Sequence, residues 1–161
     1  MTLKAVRFLN LLLAGVLTGN EFGGFVGFHP ALYELPTEAH VRAERAITSR
    51  FGRLMPPFMT AAIVSFVPTL SLVRDRRSPS FVLTLVGMLC YVAMLAVTFA
   101  GNMPINRQVV DLDPATVSRE EFIELRRRWD RYHATRNVLN FLGFVSALLG
   151  GLSEDRNDQS I

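Results

Sequence analysis

The chain has 161 residues, enough for one domain, and half of them are apolar by a broad count. Mean hydropathy is +0.27 and only 19% of residues are charged, below the roughly 25% usual in soluble domains, so the composition points to a polytopic membrane protein. The net charge of +3 rests on arginine, with Lys4 the only lysine and no nucleic-acid motif beside it, and the lone Cys90 excludes an internal disulfide, a CxxC redox pair and a cysteine zinc site.

Lys4 and Arg7 precede an apolar run that begins at Phe8. The start resembles a signal peptide, but no A-x-A-like cleavage site follows and the apolar character continues past Gly27. An uncleaved first span is therefore expected over 8–32. Inside it, the stretch LLLAGVLTGNEFGGFVGFHPAL carries Asn20, Glu21 and His29. Gly15, Gly19, Gly23 and Gly27 recur at a spacing of four, which on a helix makes a ridge without side chains. Such a ridge lets a neighbouring helix approach closely, and Gly19 and Gly23 are expected to lie against one. A carboxylate and an imidazole are costly in lipid and should face the protein interior. Pro30 predicts that the helix ends at or before His29.

Residues 33–53 form a polar connection. A short interfacial helix with mixed charges, read as a solvated connector, is expected over 37–51, with Pro36 just ahead of it. The second span, 54–73, has no charge between its ends; Pro56 and Pro57 fit a helix start, and Pro68 predicts a kink near the far end. A charged hairpin, 74–79, leads to a third span over 81–101. In the following GNMPINR stretch, Pro104 is expected to break the helix, freeing the amides of Asn102 and Asn106 to satisfy backbone groups or hold a ligand. Residues 111–115 read as a turn. Ser118 and Glu121 have the spacing of a capping box, and the helix they start runs unbroken to Leu152, about 50 Å. Its first half is charged and amphipathic. Its second half, 138–152, reads as a fourth span, short enough that the upstream part must enter the headgroup region. A polar, disordered tail is expected over 153–161.

The strongest polar signature lies on this last helix. Trp129, His133, Arg136 and Asn140 fall at i, i+4, i+7 and i+11 and share one face. Arg136 keeps its charge and needs a carboxylate, a carbonyl or an anionic ligand nearby. Glu21 is the only acidic residue within the apolar part of any span. With four spans, parity collects Glu21 and His29, Asn102 and Asn106, and His133 and Arg136 at one membrane face, and Glu21, His133 and Arg136 are expected to converge in one buried pocket. A base beside a buried arginine can take a proton from a phenol or carbon acid, with arginine and asparagine stabilising the oxyanion. Two histidines and a carboxylate can also ligate a metal, but no spacing such as H-E-x-x-H is present; the sequence names neither a metal nor a cofactor. Eleven of the 17 Lys and Arg residues fall on the side of the two long loops, which favours those loops inside without fixing the orientation.

At these residues the chain resembles the anthrone oxygenase-like family of small four-span membrane proteins. LLLAGVLTGNEFGGFVGFHPAL, GNMPINRQV and RWDRYHATRNVLNFLGF carry the resemblance, which extends from about Leu9 to Leu149. Some fungal members oxidise anthrones to anthraquinones, and many bacterial members have no assigned reaction. The resemblance implies polar site positions at Asn20, Glu21, His29, Asn102, Asn106, Trp129, His133 and Arg136. The combined reading is all-α: one integral-membrane four-helix domain over 1–152, with an interfacial helix between spans one and two. It predicts an oxygenase or related oxidoreductase in a bacterial inner membrane, acting on a hydrophobic aromatic. Its partners are the bilayer and that small molecule, not nucleic acid; oligomeric state stays open. His133 is the expected base, Arg136 and Asn106 the oxyanion stabilisers, and Glu21 an orienting group or a metal ligand. Asn20, His29, Asn102, Trp129 and Asn140 are expected to bind substrate. Two rivals remain: a carrier for a lipophilic molecule without chemistry, and a haem protein with His29 and His133 as axial ligands.

Overall fold

A computed structural model describes residues 2–153, and the expected polar tail falls almost wholly outside them. The described residues are helical apart from short turns. Helix α1 (Leu3–Gly23) starts at a Thr2 cap and continues through a wider turn, Gly24–Phe28, into α2 (His29–Leu32). Helix α3 (Thr37–Val64) is followed after a break at Ser65 by α4 (Phe66–Leu72). Helix α5 (Pro79–Val97), capped by Ser78, continues through a second wide turn, Thr98–Asn102, into α6 (Met103–Asp111). Helix α7 (Arg119–Leu152) is the longest, and its Ser118 cap accepts the Glu121 backbone N–H at 3.1 Å.

Three helical stretches are long and apolar enough to cross a membrane: Leu3–Leu32, Thr37–Leu72 and Pro79–Asp111. They mark the chain as a membrane protein. Their outer faces are apolar; Phe8, Leu12, Val16, Val86, Leu89 and Val92 are all exposed. The core between them gathers Ala14, Leu17, Met59, Ala62, Phe66, Tyr91, Met94 and Ala147. Several polar side chains inside this core pair with each other or with backbone, as a water-poor interior favours, while both side-chain amide atoms of the buried Asn140 lack a partner among the described residues. Asn10 donates to Ser65 at 2.8 Å, Thr18 Oγ1 lies 2.7 Å from the Tyr91 hydroxyl, and Tyr91 donates to the Ala14 carbonyl at 2.9 Å.

Prolines act here differently from expectation. Pro30 and Pro104 do not end their helices. Each follows a five-residue π-turn, closed by His29 N–H to Gly24 O and by Met103 N–H to Thr98 O. A proline in an α-helix collides with the carbonyl four residues back and leaves it without a donor. Widening the preceding turn moves that carbonyl aside, so the helix continues. Pro68 does break its helix: it offers no N–H to Val64, which is where α3 ends. The 37–51 connector is also not a solvated stretch. It is the first half of α3, continuous with the second span through Pro56 and Pro57, and it buries His40, Val41 and Glu44.

The glycine ridge of α1 is corrected as well. Gly19 and Gly23 are exposed, and a Cβ added at either would meet nothing within 4 Å; only Gly15 packs, against the Phe144 ring. The close helix contact is between α5 and α7, at other glycines. A Cβ on Gly87 would sit 2.9 Å from the Gly143 carbonyl oxygen, and one on Gly143 would sit 2.9 Å from the Tyr91 ring. Backbone cannot yield as a flexible side chain can, so Gly87→Ala is expected to destabilise by about 1–3 kcal/mol. Gly19→Ala should be neutral or stabilise by up to about 1 kcal/mol, since a helical glycine is replaced in open space. Thermal denaturation of the two variants in the same detergent checks the contrast.

Candidate functional site

Glu21 sits one turn before the first π-turn, on the buried side of α1, while His133 and Arg136 lie on the buried face of α7. The structure brings them together. Arg136 donates to Glu21 Oε1, and His133 Nε2 lies 3.3 Å from Glu21 Oε2. All three side chains are less than a tenth exposed. A lone charge in such surroundings costs several kcal/mol, and the opposite charge with its hydrogen bond offsets much of that cost.

A second ionic cluster stands on the other side of Trp129. Glu44, from the first half of α3, receives Arg126 at 2.9 Å and lies 3.1 Å from His29 Nδ1 and 3.7 Å from His40 Nε2. Arg126 also reaches Asp130 at 3.7 Å, and Asp130 accepts the Tyr33 hydroxyl. Burial, then the Asp130 carboxylate, hold the Tyr33 phenol above its ordinary range, so it remains a donor. Tilted and edge-to-face rings bridge the two clusters. The Trp129 ring lies 4.5 Å from both His29 and His133, the two imidazoles meet edge to face at 5.4 Å, and the Arg126 guanidinium covers Trp129 at 4.2 Å. Arg126, Trp129, His133 and Arg136 thus present one continuous face of α7.

Trp129, His133 and Arg136 of this face border a cavity of about 810 Å³, within the range of small-molecule sites. Its polar wall includes Asn20, Glu21, His29, Glu44, Asn106, Trp129, His133 and Arg136. Its apolar wall includes Ile47, Phe51, Met55, Met59, Leu95, Phe99 and Met103. Gly19, Gly23 and Gly24 also line it, so the bare ridge of α1 leaves room for a ligand where close helix packing was expected. Asn106 Oδ1 accepts the Trp129 indole N–H at 2.8 Å, which leaves the Asn106 amide N–H groups for another acceptor. Asn20 is exposed, with only a long contact to the Met55 sulfur.

Two expected binding residues stay off the cavity wall. Asn102 is fully buried and donates to the Trp129 carbonyl at 3.3 Å, holding α7 against the second π-turn. Asn140, one turn beyond Arg136, is fully buried inside the bundle. Bis-histidine haem ligation does not fit either. The imidazoles touch edge to face with no gap for a macrocycle, and the nitrogens nearest carboxylates face Glu44 and Glu21. Among the described residues no group of three or more His, Cys, Asp or Glu is arranged to hold a metal ion. Sequence reasoning missed Glu44, Arg126 and His40. The i, i+4 pair of His40 and Glu44 beside Val41 was the available signal of a buried face.

A family model described as anthrone oxygenase matches residues 45–146. No curated protein and no solved structure matches the chain.

The buried ion pair has a measurable signature. Arg136→Met leaves Glu21 without its cation and should destabilise by about 3–5 kcal/mol, whereas the double variant Glu21→Gln/Arg136→Met should recover most of that loss. Denaturant unfolding of the single and double variants measures the coupling.

Proposed function

The chain belongs to the anthrone oxygenase family, and from that premise we propose that it is a membrane oxygenase that oxidises a hydrophobic aromatic carbon acid or phenol of the anthrone type with dioxygen. The observation that supports this most is one cavity wall carrying a histidine 3.3 Å from a buried carboxylate, an amide with free donors and an aromatic side chain, opposite an apolar wall. On this reading α7 supplies the fourth membrane crossing through 138–152, in a bacterial inner membrane.

In an anthrone the ring carbonyl acidifies the methylene across the central ring. His133 takes a proton from that carbon, and the negative charge moves to the carbonyl oxygen. Asn106 donates to this oxyanion, its amide orientation fixed by the Trp129 indole. Glu21 orients His133 and offsets the positive charge the imidazole gains, while Arg136 pairs with the other Glu21 oxygen. Because Arg136 is already neutralised by Glu21, the polar wall suits a neutral substrate better than an anionic one. A planar ring system would lie in the cavity that Trp129 borders, where Met55, Met59 and Met103 offer adaptable sulfur-containing contacts.

Dioxygen uptake by detergent-purified protein given anthrone tests the proposal. Wild-type protein should consume dioxygen and yield the quinone. His133→Ala should remain folded and lose about 10²- to 10⁴-fold in turnover, the usual contribution of one positioned base. Saturable binding without any uptake by the wild type would instead make the protein a carrier.

A further inference from the structure

The cavity holds a second carboxylate-bound histidine that the single-base scheme leaves idle. His29 lines the cavity and is 12% exposed, while its partner Glu44 is 1% exposed. Arg126 Nη2 and His29 Nδ1 both approach Glu44 Oε1, at 2.9 and 3.1 Å. A guanidinium only donates, so the arrangement that satisfies the carboxylate has it accepting from both. The 3.2 Å approach of Arg126 to His29 is then two donors converging on one acceptor. This tautomer puts the His29 lone pair on Nε2. A similar grouping, a histidine beside a buried glutamate that pairs with an arginine, occurs at His133 across Trp129.

We propose that His29 is a second catalytic residue, positioned by Glu44 and Arg126, that removes the second proton in the oxidation of a methylene to a carbonyl. The inference rests on the oxygenase reading above, and its steps balance as follows. His133 takes the first C–H proton, and the carbon electron pair is used to form a C–O bond with dioxygen. The resulting peroxide anion recovers the proton from His133. His29 Nε2 then takes the remaining C–H proton. The electron pair of that bond becomes the second bond of the carbonyl as the O–O bond breaks, and the departing hydroxide takes the proton from His29 and leaves as water. One methylene and one dioxygen give one carbonyl and one water. Glu44 and Arg126 are positioning residues in this scheme.

The test uses full-length wild-type, His29→Ala and His133→Ala protein in detergent, with anthrone as the probe. Four readouts are taken: dioxygen uptake, quinone formation, anaerobic deuterium exchange at the methylene above the uncatalysed rate, and rescue by added imidazole. The expected result for His29→Ala is at least a hundredfold loss of quinone formation with exchange within threefold of wild type, and partial recovery with imidazole. His133→Ala should lose exchange. Imidazole rescue also separates a lost proton acceptor from a merely disturbed fold. Wild-type uptake with His29→Ala quinone formation within twofold of it overturns this inference alone. So does loss of exchange together with uptake in His29→Ala without rescue. Absence of uptake in the wild type overturns the oxygenase reading and this inference with it.

Discussion

The rest of the site depends on the buried pairing of Glu21 with Arg136. It joins a helix near the start of the chain to the last helix, more than a hundred residues on, in surroundings where neither charge is tolerable alone. Because both groups are needed, the pair fixes the register of α1 against α7. That register places His133 beside the second carboxylate oxygen and aligns the α7 face along the cavity. An apolar contact of the same area tolerates a slip of one helical turn far better than an ion pair does.

The second pairing, Glu44 with Arg126, repeats this logic between α3 and α7. Together the two pairs hold α7 by two points about three helical turns apart, with Trp129 and its flanking imidazoles between them. The π-turns complete the site from the other side. Each widens a helix beside the cavity, and each is followed at once by a proline that would otherwise interrupt the helix. His29 and Asn106 are thereby carried on continuous helices, which position side chains more rigidly than a chain broken at Pro104 would. The cavity itself exists because α1 presents glycine where it passes the polar wall.

The sequence was most legible where a single physical rule governed. The uncharged runs revealed the three apolar helices, and Ser118 with Glu121 revealed the start of α7. The cost of an unpaired charge in an apolar segment pointed Arg136 to Glu21. It was least legible where two rules competed. Glycine at every fourth position marks an open helix face, but the pattern cannot say whether a helix or a cavity occupies the opening. Pro30 and Pro104 end helices unless the preceding turn widens, and that widening depends on the neighbouring helices. Glu44 and Arg126 looked like two more charges in polar stretches; each is buried only because the other is there. Asn102 and Asn140 share helical faces with cavity residues, yet a small rotation turns their amides into the helix interfaces.

The central claim is that a planar aromatic lies in the cavity beside Trp129, within reach of His29 and His133. Trp129 is the only tryptophan in the chain, so its fluorescence reports on this place alone. The direct measurement is an anaerobic titration of the purified protein with anthrone, following Trp129 emission. The account predicts saturable quenching that a non-planar hydrocarbon of equal hydrophobicity does not produce. Emission that stays unchanged while anthrone is bound or turned over would place the substrate elsewhere and contradict the account.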